Sequence, residues 1–174
     1  MAFYLLWLQV SQSAPVADIP NSPGVYYLQN DQNWVGLQKA AITRTKLSGK
    51  GLFVETGGYT SLGTEVICQG AKASVRINVP RPAFYIRGVG SSDDVLLIQL
   101  TKQRDSRAFH KSSGDSSVEN KVGARKADIR KTAVTVFPEG TFSITPAVDL
   151  KPGEYLLVIG EADAGFDFGI DPRK

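Results

Sequence analysis

The chain is short of the side chains that most enzymes depend on. It has one histidine, His110, one cysteine, Cys68, and one methionine in 174 residues. A single cysteine cannot close an internal disulfide, so the fold does not rely on an oxidising compartment. Cys68 lies in the apolar run Thr64-Glu65-Val66-Ile67-Cys68, with no Lys, Arg or His beside it in sequence to lower its pKa, and reads as a small buried hydrophobe. His110 has no second histidine with which to share a metal, and no nucleophile-elbow sequence selects a serine for it, so it reads as an exposed side chain. Gly88-Val89-Gly90 lacks the third glycine and the following helix of a dinucleotide fingerprint and reads as a hairpin loop. No apolar run approaches the roughly 20 residues of a membrane-spanning helix. These absences leave no catalytic residue, metal ligand or cofactor to assign.

What the chain does have is alternation. Short runs in which apolar and polar residues alternate are separated by Gly, Pro, Asp and Asn, and a period of two places successive side chains on opposite faces of a strand. The clearest runs are residues 74–79, 94–102, 131–137, 141–145 and 154–159, and weaker ones cover 24–29, 34–37, 83–87 and 166–170. Pro138-Glu139-Gly140 sits between two of them as a tight turn. The expected fold is all-β, an antiparallel β-sandwich of Ig-like or jelly-roll-like type. Its predicted core is Val75, Ile77, Leu96, Ile98, Leu100, Val134, Val136, Phe142, Ile144, Tyr155 and Leu157. The length suits one domain, with a core large enough to fold without staples. We place it at residues 24–174, after a separate N-terminal segment, residues 1–23.

Residues 2–10 (AFYLLWLQV) form a short apolar run followed by Ser11-Gln12-Ser13-Ala14, the pattern of a secretory signal and its small-residue cleavage zone. The expectation is export, with a mature terminus between Ala14 and Asp18. The alternative is a cytoplasmic chain in which Phe3, Leu5 and Trp7 belong to a first strand. The stretch Leu150-Lys151-Pro152-Gly153-Glu154-Tyr155 resembles the closing-strand signature of secreted bacterial β-sandwich modules, in which a proline-glycine turn delivers an aromatic residue into the core. With Gly24-Val25-Tyr26-Tyr27 and Gly165-Phe166-Asp167-Phe168-Gly169, the chain resembles an uncharacterised family of exported bacterial β-sandwich proteins. The resemblance implies fold and a secreted or periplasmic location. It implies no catalytic residues.

Charge is unevenly spread along the sequence. Residues 102–131 carry nine basic and four acidic side chains, whereas residues 132–174 carry three basic and seven acidic. Residues 111–130 read as one long basic loop. Lys102, Arg104, Arg107, Lys111, Arg125, Lys126, Arg130 and Lys131 are therefore the candidate binding residues, for a protein or an anionic glycan or lipid surface. Nucleic acid is disfavoured, because only Phe109 is available to stack on bases. Glu161, Asp163, Asp167 and Asp171 gather four carboxylates, but in no established calcium-loop spacing; with Phe166 and Phe168 inward, Asp167 should point to solvent. The functional expectation is a non-enzymatic, exported or envelope-associated binding or assembly domain. The alternatives are a small hydrolase or carbohydrate-active domain with an acid pair drawn from Glu55, Glu65, Asp93, Asp94 and Glu139, or a cytosolic interaction module.

Overall fold

A computed structural model describes residues 19–30, 33–46, 64–111, 122–160 and 165–172. The described residues form thirteen strands in two sheets, and their only helical element is a single 3-10 turn, Ser92–Asp94. The fold is all-β and sandwich-like, as the alternation predicts. In the first sheet the order is β10 (Thr132–Val136), β11 (Thr141–Pro146), β6 (Phe84–Arg87), β1 (Gly24–Gln29) and β2 (Asn33–Gly36), all antiparallel. The second sheet runs β3 (Ile42–Lys46), β4 (Thr64–Gln69), β8 (Ser106–Lys111), β7 (Val95–Lys102), β12 (Gly153–Ile159), β13 (Gly165–Ile170) and β5 (Arg76–Ile77). Short β9 (Ile129–Arg130) pairs with the first half of β7, and β5 with β13 is the one parallel pair among the described strands.

The second sheet curls until its ends nearly meet. Ala40 N donates to Gly165 O at 2.8 Å, Lys39 bridges Phe166, and Gln69 N donates to Ala41 O at 3.0 Å. Residues 39–41 thus tie β13 back to the start of β3, making a half-barrel. The curl produces two cores. Between the sheets lie Val25, Tyr27, Phe84, Ile86, Leu97, Phe142, Ile144, Tyr155, Leu157, Phe166 and Phe168. Inside the curl lie Val66, Cys68, Ile98, Leu100, Phe109, Leu156 and Val158, and Val122 and Ala124 plug it from the segment after β8. Both β7 and β12 are therefore apolar on both faces, as strands in a covered sheet are. Leu96, Ile98 and Leu100, predicted as core, pack inside the curl, and Leu97 is the β7 residue that faces the other sheet.

Turn chemistry accounts for the joints. Glu139 and Gly140 both have positive φ, 61° and 66°, the requirement of a two-residue type I′ hairpin loop. Pro152-Gly153 leads Tyr155 inward, where it stacks on Phe168 with ring centroids 5.5 Å apart. Its hydroxyl donates back to Lys151 O at 2.8 Å, the bond that pins the tyrosine corner of Ig-type sandwiches. Packing begins upstream of Gly24: Ile19 is buried against Tyr26 and Tyr85 on the outer face of the first sheet, and Arg87 donates to Asn21 Oδ1 at 2.7 Å. Residues 1–18, and the export signal read from them, lie outside the described residues.

Candidate interaction surface

The structure disperses the basic residues. Lys102 and Arg104 lie exposed at the turn between β7 and β8. Lys111 closes the far end of the six-residue β8, roughly 17 Å away at about 3.4 Å per residue. Arg125 and Lys126 are exposed on the turn that leads into β9, whereas Arg130 turns inward to donate to Ala127 O at 2.7 Å and to Gln99 Oε1. Lys131 is exposed at the head of β10. Arg107 is different in kind: it is 2 % exposed and has no surface to offer a partner.

Arg107 belongs to a buried ionic network at one end of the curl. Its Nη1 reaches Asp167 Oδ2 at 2.6 Å and Glu154 Oε2 at 3.5 Å, and its remaining nitrogens donate to the backbone oxygens of Gln69 and Gly70. Glu154 also accepts from Ala73 N at 2.8 Å and from Arg76 Nη1 at 2.5 Å, and Arg76 in turn holds Asp171 at 2.7 Å. Gly169 makes this possible, since a Cβ there would overlap the Arg76 guanidinium. The hydrogen bond from Arg76 holds the exposed Asp171 carboxyl below its ordinary value. Asp167 thus departs from the expectation of a solvent-facing carboxylate. Phe166 and Phe168 do fill the core between the sheets, but the opposite face of β13 looks into the curl rather than into water. Every polar group of the network has a partner, so it reads as a structural cross-brace.

Other chemistry is equally confined. Burial pushes the Cys68 thiol up to about 11, against the smaller opposing pull of Arg107. That keeps it protonated and inert at neutral pH. His110 is half-buried rather than exposed, with Nδ1 enclosed and lacking a hydrogen-bond partner. Of the proposed acid pairs, Glu55 lies outside the described residues. Glu65 is on β4, where it accepts from Gln103; Asp93 and Asp94 are in the turn before β7, and Glu139 is in the β10–β11 turn. A cleft of about 580 Å³ lies between Gly24, Tyr26, Lys39 and the Gly88-Val89-Gly90 turn, and a smaller one of about 220 Å³ between Tyr27, Gln29, Val75 and Arg76. Neither has a carboxylate among its described lining residues. Glu161 and Asp163 lie outside the described residues, among which no group of three His, Cys, Asp or Glu side chains is placed to hold a metal ion. No helix among them is long and apolar enough to cross a membrane.

The surface feature that needs an explanation is the β10 margin. Val134 and Val136, predicted as core, are 42 % and 69 % exposed, and Val79 and Val148 are 43 % and 63 % exposed. These four are the exposed large apolar residues of the described chain, two on β10 and two in or beside the segment that follows β11. Ala147 N donates to Lys131 O, setting Val148 beyond the head of β10, and Leu150 N donates to Pro80 O, setting Val79 beside that same segment. The register explains the two misplaced valines. Val134 pairs with Ile144 and Val136 with Phe142, so both point to the core side of the sheet. There the second sheet does not cover them.

The backbone of β10 is open as well. The bonds Ala147 N to Lys131 O and Phe137 N to Thr141 O make residues 131, 133, 135 and 137 the ones that bond to β11. Thr132, Val134 and Val136 therefore turn their amides and carbonyls to the free edge, where no described strand pairs with them. Sheets ordinarily blunt such edges with charge, proline or short length. β2 has four residues and β5 has two, whereas β10 (TAVTV) is five residues long with neither charge nor proline. Sequence reasoning could not place this edge, since alternation reports which face a residue shares and not whether that face is covered.

A scan against protein-family models, a search of curated proteins and a search of solved structures each returned no match.

Proposed function

We propose that this protein is a non-enzymatic binding or assembly domain that engages its partner through the β10 margin. The observation that carries the reading is the coincidence, on β10, of an unpaired and unblunted strand edge with two of the exposed large apolar side chains of the described chain, Val134 and Val136. An open edge supplies a row of backbone donors and acceptors, and flanking apolar side chains supply the desolvated contact that gives such pairing its affinity. The placing of Glu65, Asp93, Asp94 and Glu139 on separate elements, with Glu154 and Asp167 held by the buried Arg107, weighs against a hydrolase that works through an acid pair. For location we propose export to the cell envelope, on the apolar run 2–10 with its small-residue cleavage zone and the resemblance to exported sandwich modules.

A photo-reactive amino acid placed at Val136 in the cells that make the protein should form protein adducts on irradiation. The same probe at the exposed Thr101, on the opposite sheet, should not. Absence of adducts at Val136, together with hydrolysis of a polysaccharide or ester that is lost on changing Glu65 or Asp93, would overturn the reading. N-terminal sequencing of the same material should begin between Ala14 and Asp18, and an intact Met1 would end the export proposal.

A further inference from the structure

The geometry points to a second copy of this chain as the occupant of the β10 edge, paired antiparallel about a two-fold axis through Val134. This inference rests on the reading of the margin as an interface and adds the partner. The backbone supports it first. With Thr132, Val134 and Val136 facing outward, Val134 can exchange two hydrogen bonds with its own counterpart at the axis. Thr132 can do the same with Val136 of the second copy, and the symmetry repeats that pair, giving about six bonds in all. The side chains agree. On the uncovered face Val134 meets Val134 and Val136 meets Thr132, both β-branched pairs that suit a pleated surface.

Charge selects the orientation. In this register Lys131 of one chain lies opposite Phe137 of the other. Lys131 is thereby set beside the turn bearing Glu139, whose carboxylate lies 3.6 Å from Arg87 of its own chain yet is 82 % exposed and so has room for a second cation. The symmetry places the complementary ends together twice. A parallel arrangement would instead stack Lys131 on Lys131. One five-residue edge with its flanking valines is small beside the interfaces of permanent dimers, so the association should be weak and dependent on concentration.

The test is sedimentation of the full chain from about 1 to several hundred micromolar. The wild type should move from 18.8 kDa towards twice that mass. Lys131→Glu alone and Glu139→Lys alone each bring like charges together at both ends and should weaken the dimer about tenfold. An equimolar mixture of the two variants should restore it, because the mixed dimer alone has opposite charges at both ends. Val134→Lys, which places a like charge on its own counterpart at the axis, should abolish association while leaving the melting temperature nearly unchanged. A chain that stays monomeric throughout, or a dimer indifferent to both charge swaps, would overturn the proposal; the latter would place the dimer contact away from the β10 edge. A monomer that still forms adducts at Val136 would remove self-pairing and leave the interface reading intact, whereas loss of both would remove both.

Discussion

At the scale of single residues, the decisive one is Arg107. It is a fully enclosed cation that satisfies Asp167 and the Gln69 and Gly70 carbonyls at once, with Glu154 close by. Such a network adds little stability relative to a well-packed apolar core, but removing one partner leaves charges buried and uncompensated. Arg107→Ala should therefore cost about 3 to 5 kcal/mol in denaturant unfolding. Arg107→Lys should recover only part of this, since an ammonium cannot present the planar fork that reaches three acceptors. Cys68, the cross-strand neighbour of Arg107, offers a second readout. Its thiol should resist a thiol reagent at pH 8 in the wild type and react measurably faster in Arg107→Ala, because opening this end relieves the burial that raises the thiol pKa, a larger effect than the lost pull of Arg107. Equal reactivity in the two would mean that the network does not brace this end of the curl. Nothing in sequence marked Arg107 off from the other basic residues around it. Asp167 was readable as alternating with two core phenylalanines, yet alternation in a curled sheet distinguishes two dry faces, not a dry one from a wet one.

At the scale of elements, the strands were largely legible because a period of two and Gly/Pro punctuation are local signals. The turn at Glu139-Gly140, the β7 and β12 strands and the Pro152-Gly153 lead into Tyr155 all follow from them. The second core was not inferred, although one signal pointed to it. Tyr155-Leu156-Leu157-Val158-Ile159 and Leu96-Leu97-Ile98 are continuous apolar runs, the mark of strands covered on both faces. Val122 and Ala124 escaped notice because a plug is set by where a loop returns in space, not by the composition of the loop. The same distinction between face and coverage gives a direct comparison across one cross-strand pair, Val134 and Ile144. Ile144→Ala should cost about 2 to 5 kcal/mol, whereas Val134→Ala should stay within about 0.5 kcal/mol in dilute solution. Thermal and denaturant melts of the two variants measure this. Comparable losses would mean that the β10 margin is covered after all.

At the scale of the whole molecule, the described residues form a two-core β-sandwich in which β10 is the edge strand that neither charge, proline nor short length blunts. The curl seals the second sheet on itself, the ionic network braces one end of that curl, and Ile19 with its aromatic neighbours covers part of the outer face of the first sheet. The basic residues that looked like one surface in sequence are divided among the β7–β8 turn, the turn before β9, the interior and the head of β10. Only Lys131 adjoins the open edge directly. Function, on this account, resides in what the fold leaves unpaired.

The most direct test of that claim is residue-resolved amide exchange on the chain in its native assembly and on the same chain diluted to a monomer. The amides of Ala133 and Thr135 bond to β11 and should be protected in both states. Those of Thr132, Val134 and Val136 should exchange rapidly in the monomer and become protected in the assembly. Equal and rapid exchange of these three amides in both states would show that the β10 edge is not where this protein meets its partner.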